Sequence, residues 1–218
     1  KIQDVCLRMK VNTLVVLSTY NIYGAHPHNH TPIFEDEPMR ALQTVPELSD
    51  AVQMDTQAVT WSFRHPEMKT IIVRATNVVG PNINNTISRL MRLHHIPYLS
   101  GYNPMWQFIY ETDMVQALML ALDGKRSGIF NVAGRGALPL VEALDATGRS
   151  LRPILPPLLK SYLRLSRNAK RVIPAYLVNF LKYPVIISDT RFRETFDYQP
   201  NVSIPDALRA CASRIPVG

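Results

Sequence analysis

Short, unbroken apolar runs alternate with segments of helical spacing through the first two thirds of the chain, and this rhythm restricts the fold more than any other feature. Leu14-Val15-Val16-Leu17 ends in Ser18-Thr19, with Gly24 just beyond. Thr70-Ile71-Ile72-Val73-Arg74 runs on to Gly80-Pro81, and Gly128-Ile129-Phe130-Asn131-Val132 follows a helical stretch closed by Gly124. A strand with one wet face alternates apolar and polar residues, whereas a strand covered on both faces reads as a continuous apolar run. Helices are expected over 51–63, stopped near His65-Pro66, and over 84–94, with Ile87, Leu90 and Met91 on one face. Two more are expected from Thr112 or Asp113 through Leu122 and over 138–147, and a short strand from Trp106 to Tyr110. Residues 26–46 are rich in Pro, His and acidic side chains and read as a long surface loop. The expectation is an α/β fold in which helices cover both faces of a parallel sheet.

After Arg149 the rhythm gives way to apolar and basic residues punctuated by Pro153, Pro156, Pro157, Pro174 and Pro184. The chain is therefore expected to divide into a sheet-bearing part, 1–148, and a mostly helical part, 149–218. Of the formal charge of +7, the stretch 146–188 carries more than the whole excess. It holds Arg149, Arg152, Lys160, Arg164, Arg167, Lys170, Arg171 and Lys182 and no acidic residue. Such a block suits a protein partner or an anionic surface, or is a solvated helix face. Charge is its sole link to nucleic acid, which is not the expected partner.

Cys6 and Cys211 lie at opposite ends, so free thiols in the cytoplasm or another reducing compartment are expected. No apolar run approaches the roughly 20 residues of a bilayer span, and the first ten residues hold no apolar leader, so neither a transmembrane segment nor secretion is expected. His26, His28 and His30 alternate, but they lie in a Pro-rich loop without cysteine, and no metal site is expected.

Five segments carry a resemblance. Leu17-Ser18-Thr19-Tyr20-Asn21-Ile22-Tyr23-Gly24 has a Ser/Thr-rich strand end leading into a Tyr-Gly turn. Ile72 to Pro81 contains Arg, two residues, Asn, two residues, Gly-Pro; Gln107 to Asp113 is a strand followed by an Asp that opens a helix. Gly128 to Gly134 reads Gly-x-Phe-Asn-Val-x-Gly, and Asp189 to Pro200 is a late helix with a Tyr-x-Pro turn. In this order they resemble the extended short-chain dehydrogenase/reductases, the NAD-dependent epimerase/dehydratase group. The resemblance implies a partial Rossmann-type, doubly wound parallel sheet with a smaller C-terminal substrate domain. It implies NAD or NADP as cofactor, and a Gly-rich phosphate turn lying before Lys1. No Gly-x-x-Gly-x-x-Gly occurs within the chain.

By the same resemblance Thr19 matches the catalytic Ser/Thr that hydrogen-bonds the substrate oxygen. Leu17, Ser18, Ala75, Asn77 and Val78 match cofactor-lining positions, and Thr19, Asn77 and Trp106 match substrate-facing ones. The family's proton donor is a Tyr with a Lys four residues later, because residues four apart share a helix face. Here Val52 and Thr56 stand at those positions, and no Tyr in the chain has Lys four residues on. Tyr20, Tyr23 and His26 are the candidates to replace it. Trp106 stands where sugar-nucleotide epimerases commonly carry an Arg that grips the diphosphate, a contact indole cannot make. Two readings follow. One is an NAD(P)-binding epimerase, dehydratase or reductase acting on a sugar nucleotide or similar hydroxyl or carbonyl substrate, with impaired chemistry. The other is a non-catalytic subunit or regulator that binds a nucleotide structurally and meets a partner through its basic surface. A homodimer is compatible with both.

Overall fold

A computed structural model of the chain describes residues 2–124, 126–165 and 172–213. In chain order the elements are α1 (Ile2–Arg8), β1 (Thr13–Thr19), α2 (Ala41–Thr44), α3 (Ser49–Arg64), β2 (Lys69–Ala75), β3 (Asn77–Val79) and α4 (Thr86–Met91). They continue with β4 (His95–Leu99), β5 (Met105–Trp106), β6 (Phe108–Tyr110), α5 (Glu111–Asp123), β7 (Gly128–Val132), β8 (Leu138–Pro139) and α6 (Leu140–Asp145). The last are β9 (Ser150–Ile154), α7 (Leu159–Leu165), α8 (Leu177–Phe180), α9 (Thr190–Phe196) and α10 (Ile204–Ser213).

The three apolar runs form one parallel sheet in the order β1-β2-β7. The reason lies in the alternation along β2. Ile71, Val73 and Ala75 point to one face and pack with Met114, Ala117 and Ala121 of α5, and with Phe130, Phe192, Phe196 and Tyr198. Thr70, Ile72 and Arg74 alternate to the other face, against which α3 lies. Helices on both faces require just such continuous burial. A second parallel pair, β3 with β6, continues beyond the end of β2.

Three expectations need amending. The helix expected to end at His94-His95 stops at Met91, and His95–Leu99 is a strand. Its partner is β9, in parallel, so the part after Arg149 begins with a strand rather than a helix. Pro97 and Pro153 obscured both strands, because proline argues against a central strand; a two-stranded ladder leaves every second N–H outward, where proline is tolerated. The segment 26–46 is not wholly a surface loop. Ile33, Glu35 and Ala41 are buried, and Ile33 bridges to Ile187.

The larger apolar core runs from Tyr20 and Ile22 through Leu90 and Trp106 to Ile173, Leu177, Phe180 and Leu208, so residues before and after 148 share it. Arg92 ties the C-terminal helix in: its guanidinium donates to the carbonyls of Cys211 (3.0 Å), Gly80 (2.8 Å) and Pro81 (3.3 Å). Of the basic block, Arg167, Lys170 and Arg171 lie outside the described residues. Among the described residues no helix is long and apolar enough to cross a membrane.

Candidate functional site

At the carboxyl edge of the sheet, Ser18 pairs with Arg74 and Thr19 with Ala75 across β1 and β2. Beyond that edge the two chains part. Thr19 leads into a tight 3-10 turn over Tyr20–Tyr23, and Ala75 passes through Thr76 into β3. The divergence opens a cavity of about 320 Å³. Crevices outside the carboxyl ends of parallel strands are where open α/β sheets take their ligands. One wall is Leu17, Ser18 and Thr19 with Tyr20 and Asn21, and the other is Ala75, Thr76, Asn77 and Val78. The start of α4 adds Asn85, Thr86 and Ile87, and Tyr176 contributes from far along the chain.

Thus Leu17, Ser18, Thr19, Ala75, Asn77 and Val78, all singled out from the sequence, share one cavity. Trp106 does not join them. It is buried and its indole N–H donates to the Phe180 carbonyl at 2.9 Å. His26 and Tyr23 are also absent from the lining.

The hydroxyls of the cavity have different duties. Ser18 donates to Asp55 Oδ2 at 2.6 Å, which commits its proton and leaves its lone pairs to accept from a ligand. Thr19 Oγ1 accepts from the Asn21 amide at 3.2 Å, capping the turn, so its proton remains to donate to a ligand oxygen. Thr76 is 4% exposed, and its hydroxyl has no hydrogen-bond partner among the described residues. Tyr20 is a poor acid: burial pushes its phenol well above the usual tyrosine range, with a hydrogen bond to the Asn77 side chain only partly offsetting this. Asn77 itself is held by donating to the Gln107 carbonyl at 3.1 Å.

Behind Ser18 lies a buried polar network. Val52, Asp55 and Ala58 are the buried residues of α3, so a carboxylate sits in the stripe that faces the sheet. Arg74 grips it with both prongs, Nε to Oδ2 at 3.0 Å and the terminal nitrogen to Oδ1 at 2.7 Å. The guanidinium also donates to Tyr23 Oη and to the Glu35 carbonyl, both at 2.9 Å. Tyr23 Oη donates to Asn131 Oδ1 at 2.8 Å, and the Asn131 amide donates to Glu35 Oε1 at 2.9 Å. Burial alone would loosen the Arg74 proton, but Asp55 and Tyr23 outweigh it and hold the guanidinium above its ordinary range. Burial likewise raises the Tyr23 phenol, only partly countered by Arg74 and Asn131. Tyr23 is therefore a structural hydroxyl with both roles occupied.

Helix α3 brings no acidic or basic group to the cavity. Val52 and Thr56 line a different hollow of about 590 Å³, with Gln53 and Trp61 of the same helix and Gln3 of α1. The Thr56 hydroxyl is spent on the Val52 carbonyl one turn back, at 2.8 Å.

The family model for the NAD dependent epimerase/dehydratase family matches residues 1–133. The chain belongs to that family. An uncharacterized protein of Mycobacterium tuberculosis (strain ATCC 25618 / H37Rv) is 27% identical over 200 residues, which is 91% of this chain and 53% of the relative. The chain thus spans about half the length of the curated relatives it matches. Among solved epimerase/dehydratase structures, the dTDP-glucose 4,6-dehydratase of Bacillus anthracis in complex with NAD superposes with a TM-score of 0.71 at 15% identity. It covers 97% of this chain and 64% of that one. The UDP-glucose 4-epimerase of Thermus thermophilus in complex with NAD gives 0.71 at 17% identity, covering 98% and 67%. At these identities the likeness shows a shared Rossmann-type fold.

Sequence reasoning missed several residues of the site. Thr76 sits between two residues that were named, Ala75 and Asn77, and its unpartnered hydroxyl is visible only in three dimensions. Asp55 had a readable signal, an acidic residue three positions from Val52 and Ala58 on an otherwise apolar stripe, as did Arg74 at the end of a buried strand. Tyr176 had none, for it lies outside every motif.

Proposed function

We propose that the cavity at the ends of β1 and β2 receives the nicotinamide end of NAD or NADP together with a hydroxyl- or carbonyl-bearing substrate, a sugar nucleotide or a similar molecule. The carrying observation is that Leu17, Ser18 and Thr19 at the end of β1 converge there with Ala75 at the end of the adjacent parallel β2 and with Asn77 and Val78 of β3. The residues present fit a polar, partly aromatic ligand: an acceptor at Ser18, a donor at Thr19, and a buried hydroxyl at Thr76 that lacks a protein partner. A bound nicotinamide would supply the hydride acceptor or donor. Thr19 orients the substrate oxygen by donating its proton. Tyr20, held protonated by burial, can donate a hydrogen bond but exchanges a proton poorly. With Val52 and Thr56 outside the cavity, proton transfer is impaired relative to a Tyr-Lys pair.

Thr76→Val tests this reading because it separates stability from binding. Removing a buried, unpartnered hydroxyl without changing shape should stabilise the free protein by about 1–3 kcal/mol in urea unfolding. The same change should weaken NAD or NADP binding by roughly 3- to 10-fold in calorimetric titration, the effect of one lost hydrogen bond. Stabilisation with unaltered affinity would remove the cavity from the dinucleotide site.

A second reading, a non-catalytic subunit or regulator, is favoured by the absence of any α3 acid or base in the cavity lining. Substantial turnover of a sugar nucleotide by the unaltered protein is incompatible with it.

A further inference from the structure

We infer that Tyr176 is a ligand-contacting residue of the strand-end cavity, a phenol supplied by the C-terminal part that offers its hydroxyl to an oxygen of the bound molecule. The inference rests on the reading of that cavity as a ligand site. It assigns a contact to a residue outside the five motifs that carry the resemblance.

Four observations converge on it. Tyr176 lines the cavity, and it is the one lining residue beyond Ile87 among the described residues. Its ring is positioned by the core: it meets Phe180 edge-on, with centroids 6.3 Å apart and planes at 85°. The next residue, Leu177, is buried, as is Phe180. Trp106 pins this segment by donating to the Phe180 carbonyl at 2.9 Å, so its indole fixes the element that follows Tyr176.

The two phenols of the cavity are also unequal. Tyr20 is packed into the core at 4% exposure, its ring edge-on to Phe180 with centroids 5.8 Å apart. Tyr176 is half-buried, and its hydroxyl makes no hydrogen bond among the described residues. A positioned phenol with an unused donor and acceptor, at the wall of a polar cavity, is suited to an oxygen-rich ligand. A tyrosine that merely filled the core would carry its hydroxyl to a protein partner, as Tyr23 and Tyr198 do.

The Trp106–Phe180 bond provides the readout. In a Trp61→Phe background, Trp106 is the remaining tryptophan, and its emission reports on the segment carrying Tyr176. NAD, NADP and UDP-glucose are each titrated against this protein by emission and by calorimetry, with and without Tyr176→Phe. The Phe variant keeps the ring contact with Phe180 and removes only the hydroxyl; Tyr176→Ala, checked by circular dichroism, removes both. The expected result is saturable binding of at least one of the three, weakened roughly 3- to 10-fold in the Phe variant, with a changed Trp106 response. Saturable binding that Thr76→Val weakens but both Tyr176 variants leave unaltered overturns the inference and leaves the cavity assignment standing. Saturable binding that neither Thr76→Val nor the Tyr176 variants weaken, or no saturable binding of any of the three, overturns both.

Discussion

Asp55→Ala should cost about 3–5 kcal/mol of folding stability, the penalty for stranding a buried charge. Asp55 has no solvent exposure, and Arg74 is 3% exposed, so neither can turn to water when its partner is lost. The bidentate grip of Arg74 also organises Tyr23 and the Glu35 carbonyl, and Ser18 would lose the acceptor for its proton. A domain of this kind has about 5–15 kcal/mol in total, so the variant should unfold at a much lower urea concentration or fail to accumulate. The paired change Asp55→Leu with Arg74→Met removes both charges and should recover part of the loss, since the Ser18 hydroxyl and the Glu35 carbonyl still lose their partners. Urea midpoints of the single and double variants measure this. A single-variant loss below about 1 kcal/mol would mean that the pair is solvated and does not organise the strand end.

Gly134→Ala should be nearly as damaging, about 3 kcal/mol or more, in the upper part of the range for overpacking. The Gly134 amide donates to the Phe108 carbonyl at 3.1 Å, and a Cβ there would lie inside the van der Waals shell of that same oxygen. The clash is with backbone, so no side-chain rotation relieves it. Relief requires β6 to move, and β3 and Asn77 move with it through the β3–β6 pairing. Thermal unfolding should therefore drop markedly, and dinucleotide affinity should fall in whatever fraction remains folded. An alanine variant with unaltered melting and binding would contradict the close approach. The glycine that ends the Gly-x-Phe-Asn-Val-x-Gly segment thus owes its place to contact distance.

The sheet was legible because β1, β2 and β7 are written as continuous apolar runs, although only the central β2 is buried almost throughout and β1 is largely half-buried. The β4–β9 pair was not, since each strand contains a proline and the partners lie far apart in sequence. The cavity walls could be read from motif positions, which name backbone neighbours along β1 and along the run from β2 into β3. What could not be read was the direction of each hydroxyl. Ser18 and Thr19 are adjacent and chemically alike, yet one donates its proton to Asp55 while the other accepts from the Asn21 amide. That difference depends on α3 crossing behind Ser18, a contact 37 residues apart. Trp106 shows the converse case: its motif position suggested a ligand-facing side chain, and long-range packing turned it toward Phe180 instead.

The most direct test of the strand-end cavity as the ligand site is a crystal structure of the protein soaked with NAD or NADP at saturating concentration. Nicotinamide density is expected against Leu17, Thr19, Thr76 and Asn77, within hydrogen-bonding distance of the Thr76 hydroxyl. Density in the hollow beside Val52 and Thr56, or a strand-end cavity left empty at saturation, would contradict it.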